Sequence, residues 1–148
     1  MNNNQINIMY AFEKAYNTLN ADLIESSLSE SVIYGTSYGN CGDIFTNKDA
    51  FLKWLKYNFR NVANAGTVKM KVEVIKNIDG VVMNTLRINE YIFKSPAPII
   101  SYLIISFDGD KVSKVFLTDM SDENVLRIKT LTSAEIDEII NEIMGNPF

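Results

Sequence analysis

TVKMKVEVIKNIDGVVMNTLRINEYIFKSPAPIISYLIISFDGDKVSKVFLTD, the stretch from Thr67 to Asp119, reads as four consecutive strands joined by tight turns. Val68, Met70, Val72 and Val74 alternate with Thr67, Lys69, Lys71 and Glu73. That period of two marks a half-buried strand with its apolar face inward. Asp79-Gly80 is a turn signal between two apolar runs and predicts a hairpin. The second strand runs from Val81 to Phe93. Ser95-Pro96-Ala97-Pro98 then interrupts, since no central strand runs through two prolines. The third strand, Ile99 to Phe107, is apolar on both faces, as a central strand covered on both sides would be. Asp108-Gly109-Asp110 turns the chain into a fourth strand, Lys111 to Asp119. The order predicts an antiparallel meander.

Helices precede the strands. Met9, Phe12, Tyr16 and Leu19 share one face of a helix over Ile6 to Leu19. Asn20 is placed to cap a second short helix reaching Leu28. Val32, Ile33 and Tyr34 look extended, within a segment from Ser31 to Tyr38, and Gly35, Gly39 and Gly42 loosen the chain around its end. Asn47 is an N-cap for a third helix, Lys48 to about Val62, with Phe51, Leu55, Phe59 and Val62 as its stripe and Trp54 widening it. At the far end, Thr132-Ser133-Ala134-Glu135 has capping-box spacing. A helix of about residues 133–144 comes next, with Ile136, Ile139, Ile140 and Ile143 on one face. Glu135, Asp137, Glu138 and Glu142 form its solvated face, and Gly145 and Pro147 end it. It packs either on its own domain or on a partner subunit.

The 148 residues make one domain, long enough to bury a core. No run approaches the roughly 18 apolar residues of a membrane span, and the N-terminus shows no secretory pattern. The single cysteine, Cys41, forms no internal disulfide, which fits a cytoplasmic location. The net charge of −4 without a basic cluster argues against nucleic acid as a partner. There is no histidine. This excludes Ser-His-Asp and Cys-His catalysis, imidazole proton shuttles and histidine-based metal sites. Acid–base chemistry would have to use carboxylate, tyrosine, lysine, the thiol or water. No cofactor and no metal are expected.

Three local pieces, in this order and spacing, carry a resemblance: Leu19-Asn20-Ala21-Asp22-Leu23 after an amphipathic helix, Ser29-Glu30-Ser31-Val32-Ile33-Tyr34, and Phe107-Asp108-Gly109-Asp110-Lys111-Val112 ending at Asp119. Over about residues 6–120 the chain resembles the nuclear transport factor 2-like superfamily, which includes ketosteroid isomerases and SnoaL-like polyketide cyclases. The resemblance implies an α+β, cystatin-like fold. A cone-shaped, curved antiparallel sheet wraps around the N-terminal helices, encloses a cavity open at one end, and is here succeeded by the extra C-terminal helix. Such proteins often dimerise through the outer sheet face. Aligned on the isomerases, Gly35 holds the position of the catalytic base, Leu103 that of the protonated aspartate, and Tyr16 lies one residue from the tyrosine. Isomerase chemistry by that mechanism is therefore not expected. The dehydratases of the superfamily depend on histidine. An Asp-Arg-Asp set like that of limonene epoxide hydrolases would draw on Arg87, Asp119 and Asp43 or Glu90, though no spacing identifies it.

By the same alignment Leu103, Ile105, Phe107, Val115, Leu117 and Asp119 point inward, joined by Tyr16, Tyr34 and Trp54 from the covering segments. They form either an apolar, aromatic chamber suited to a small hydrophobic ligand or a filled core. Trp54 is then a ligand platform or plain core, and Asp119 the cavity's carboxylate or a turn residue. Cys41 lacks the neighbouring cation a reactive thiolate needs. Arg87 is open: with Met83, Thr85, Asn89 and Tyr91 on one face and Val82, Leu86, Ile88 and Ile92 on the other, a one-residue slip exchanges inside and outside. Inside, Arg87 would need a carboxylate such as Asp119 or an anionic ligand. Either way Ile100, Tyr102 and Ile104 need cover, which predicts a homodimer through the outer sheet face. Three functions fit: a protein binding a small hydrophobic molecule; an isomerase, cyclase or hydrolase using Asp119 with Tyr16 or Tyr34; and a dimeric interaction module with a filled core.

Overall fold

The computed structural model of the chain describes residues 1–37, 44–65, 68–92 and 97–118. Asp119, Cys41, Asp43 and the C-terminal helix expected from the sequence lie outside them.

Three helices and six strands run in order: α1 (Asn3–Thr18), α2 (Asp22–Glu25), β1 (Leu28–Ser37), β2 (Ile44–Phe45), α3 (Lys48–Ala65), β3 (Val68–Lys76), β4 (Val82–Ile92), β5 (Ile99–Asp108) and β6 (Lys111–Thr118). The strands form one sheet, ordered β2-β1-β6-β5-β4-β3. The meander from β3 to β6 is antiparallel as the alternation predicts. The sheet as a whole is mixed. β1 and β6 run parallel, with Tyr34 beside Val115 and Thr36 beside Leu117. The chain leaves β1 through β2 and α3, reaches the far edge at β3, and walks back strand by strand. β6 therefore arrives next to β1 with the same heading.

The turns explain the register. Asn77 Oδ1 accepts from the Asp79 and Val81 N–H groups, and Gly80 takes φ +78 between β3 and β4. Gly109 takes φ +59 at the first position of the two-residue β5–β6 loop, where any side chain would be strained.

α1 begins earlier than its apolar stripe indicates. Asn2 and Gln5 form a capping box, and Gln5 Nε2 also donates to the Gly109 carbonyl at 2.8 Å. Leu19 closes the helix with φ +55 while its side chain still packs against the core. α2 is shorter than expected because the chain is drawn into the sheet. Val112 N–H donates to Ser27 O at 2.8 Å and Lys111 Nζ to Ser26 O at 2.6 Å, so Leu28 already pairs with Val112. Asn47 caps α3 as expected, accepting from Ala50 N–H at 2.8 Å.

The helices pack on one face of the sheet. There Met9, Phe12 and Ile24 meet Phe51, Leu55, Leu86, Leu103, Ile105 and Val115, all fully buried. α1 also lies against the β3 edge. Asn17 Nδ2 donates to Val72 O at 2.7 Å, Val72 N–H donates to Asn17 Oδ1 at 2.8 Å, and Val74 N–H donates to Glu13 Oε2 at 2.7 Å. These bonds satisfy backbone groups that an uncovered edge strand would offer to another chain. β5 is buried on both faces, as its composition predicts. Tyr102 and Ile104, on the side away from the helices, are 0% and 1% exposed within the single chain.

Candidate functional site

Pairing register lays the helix side of the sheet out in rows. One row reads Thr36, Leu117, Leu103, Leu86, Val74 from β1 to β3. Toward the end of the sheet away from the β5–β6 turn, the next row is Ser101, Ile88, Val72, and the last is Ile99, Glu90, Met70. α1 ends level with Val72, where Asn17 is bonded, so the last row extends one step past the end of that helix.

Most of the sequence-derived site residues are packed into the middle of this face. Leu103 and Ile105 are fully buried, and Tyr34 and Tyr16 nearly so. Tyr34 stacks on Phe51 (centroids 4.9 Å apart) and meets Trp54 at 4.7 Å, with Phe45 closing the group. Tyr16 meets Phe59 edge-on at 5.1 Å. Tyr34 and Trp54 thus come together, while Tyr16 belongs to a separate group with Phe59 and Phe12. At these spacings the rings contact one another, as core aromatics do.

Arg87 does not join them. It registers with Tyr102 and Glu73, while its neighbours Leu86 and Ile88 face the helices. Of the two orientations open to Arg87, the strand's parity gives the outer one, away from the helices. Its Nε and the Thr85 hydroxyl are buried without a hydrogen bond among the described residues. Gly35, aligned with the isomerase base, also falls on the outer side, in register with Phe116, so a side chain there would not face the helices.

Glu90 is a carboxylate on the helix side of β4. It lies at i+4 from Leu86 and i+2 from Ile88, and is half-buried between Met70 of β3 and Ile99 of β5 in register. Burial pushes its carboxyl above the usual carboxylate range, because the charged form loses solvation. No ion pair to it is present among the described residues. Reading the sequence brought Glu90 in only as one member of an unplaced Asp-Arg-Asp set. The available signal was its parity with Leu86 and Ile88.

A concavity, an open groove of about 380 Å³, lies between the α1–α2 junction and α3. Leu19, Asp22, Lys56, Phe59 and Arg60 line it, and its Lys56–Asp22 pair at 3.6 Å is exposed to solvent. No cluster able to hold a metal ion occurs among the described residues, and none of their helices is long and apolar enough to cross a membrane.

Solved structures share this arrangement. A nuclear transport factor 2-like protein of unknown function from Mesorhizobium loti superposes with a TM-score of 0.60 at 10% identity, over 80% of this chain and 92% of that one. An uncharacterised cystatin-fold protein from Novosphingobium aromaticivorans gives 0.53 at 19% identity, over 76% and 96%. The chain has the nuclear transport factor 2-like fold. An epoxide hydrolase from M. tuberculosis, similar to limonene epoxide hydrolase, shares it as well, with a TM-score of 0.51 at 11% identity over 97% of both chains. No protein-family model and no curated protein matches the sequence. At these identities the likeness is one of fold, and nuclear transport factor 2-like folds carry different chemistries on one frame.

Proposed function

We propose that the protein binds a small, mostly apolar molecule at the end of the helix side of its sheet, with Glu90 as the polar contact. One observation carries this reading: a carboxyl raised in pKa by burial, with no ion pair among the described residues, stands in an otherwise apolar row just beyond the end of α1. A site of this kind uses apolar walls for affinity and one or two polar groups for orientation. Protonated, Glu90 donates to a carbonyl or ether oxygen; ionised, it accepts from a hydroxyl. The same property supports a second, catalytic reading in which Glu90 relays a proton, since perturbed carboxyls cluster at reactive sites.

The test is a thermal-shift screen of hydrophobic acids, steroids and polyketide-like aromatics against wild type and Glu90→Gln. A ligand that binds only the folded chain raises the melting temperature. Stabilisation by at least one compound, weakened by Glu90→Gln, is the expected outcome. A panel that shifts neither protein would overturn the proposal. Turnover of a stabilising compound by wild type but not by the variant would establish the catalytic reading.

A further inference from the structure

We propose that the groove between the α1–α2 junction and α3 is a ligand site of its own, apart from the Glu90 row, and that it takes a small organic monoanion: a carboxylate carried on a flat apolar body. The chain builds the groove locally. Leu19 ends α1 with φ +55, and the backbone turns there toward α2. Asn20 fixes that turn, its N–H donating to Ala15 O at 2.9 Å and its Oδ1 accepting from Asp22 N–H at 3.1 Å. Ala21 at the junction and Ala63 on α3 carry side chains too small to close the space, and about 380 Å³ remains. That volume lies at the small end of the range for ligand pockets.

The groove joins an apolar floor to an excess of positive charge. Phe59 is 3% exposed and held edge-on against Tyr16 at 5.1 Å, and Leu19 packs against the core, so the floor is rigid. Lys56 and Arg60 stand one helical turn apart on α3, where side chains leave the same face, and both are exposed. Lys56 lies 3.6 Å from Asp22, while Arg60 has no ion pair among the described residues. Two cations therefore face one carboxylate, in a chain whose net charge is −4. The planar guanidinium of Arg60 suits a carboxylate through two parallel hydrogen bonds. The exposed Lys56–Asp22 pair is weak enough to leave the ammonium a share in the same anion. One negative charge on the ligand matches the excess. The second charge of a phosphate monoester would stand uncompensated beside Asp22. Glu90 is not among the groove's residues, so this site is independent of the one on the sheet.

The test is a titration of the full chain with cinnamate, followed through the backbone amide NMR signals of a nitrogen-labelled sample. Saturable shifts confined to residues 19–22 and 56–63 are expected. Cinnamamide, the neutral isostere, and Arg60→Gln are each expected to weaken binding by roughly tenfold. Ala63→Leu fills the groove without changing its charge and is expected to abolish binding. Phenyl phosphate should bind no more tightly than cinnamate, and Glu90→Gln should leave the titration unchanged. Absent or scattered shifts, equal affinity for the amide, or undiminished binding by Arg60→Gln or Ala63→Leu would overturn the site. Shifts lost in Glu90→Gln would move the ligand to the sheet and overturn it as well. Tighter binding of phenyl phosphate would overturn the monoanion.

Discussion

Asn17 and Val72, separated by 55 residues, are joined by two hydrogen bonds that use both the donor and the acceptor of the Asn17 amide. A side chain of α1 thereby takes the place of a neighbouring strand at the sheet edge. One turn earlier Glu13 does the same for Val74. The helix is fastened to β3 by polar contacts as well as by its apolar stripe, and the position of its end leaves the Glu90 row uncovered by α1.

Asn17→Ala is expected to cost about 1–2 kcal/mol, the net worth of two partly buried hydrogen bonds. Asn17→Asp keeps an acceptor for Val72 N–H but sets a carboxylate against Val72 O, so it falls at least as far. Urea denaturation of the three proteins checks this; equal midpoints would remove the edge pairing as a source of stability.

Glu90 gives a pH signature. Its folded pKa is raised by burial above the ordinary value of 4.5, so the folded chain holds this proton to higher pH than the unfolded chain does. This group's contribution is therefore most favourable below its unfolded pKa, declines as pH rises through the folded value, and is constant above it. Glu90→Gln has no such slope. The melting temperature of the variant relative to wild type should climb as pH rises above the ordinary carboxylate value of 4.5, and a flat difference would show that the carboxyl is not desolvated.

Leu103→Ala is expected to destabilise by about 3 kcal/mol, because the side chain is fully buried in the helix-side core and its removal leaves a cavity. A loss under about 1 kcal/mol would instead indicate open space around this position, as in a chamber rather than a filled core.

Asn47→Ala removes the α3 cap and should lower stability by about 1 kcal/mol, or roughly 3 °C in melting temperature for a chain of this size. Paired melts of wild type and variant measure it. No change would mean that water satisfies the Ala50 N–H as well as the asparagine does.

Elements set by neighbours in the chain were legible in the sequence. The alternation from Val68 to Val74, the Asp79-Gly80 turn, the doubly apolar β5 and the Asn47 cap all appear where local periodicity and turn chemistry place them. These depend on residues one to four positions apart, so reading along the chain finds them. Tertiary structure alone decided the parallel pairing of β1 with β6, the docking of Asn17 and Glu13 on β3, and the early end of α2. Each joins residues far apart in sequence, and no local pattern encodes such a partner. Arg87 and Glu90 show the same division within one strand. Their spacing of three puts them on opposite faces, but only the packing of Leu86 and Ile88 against the helices determined which of the two charges turned toward the core.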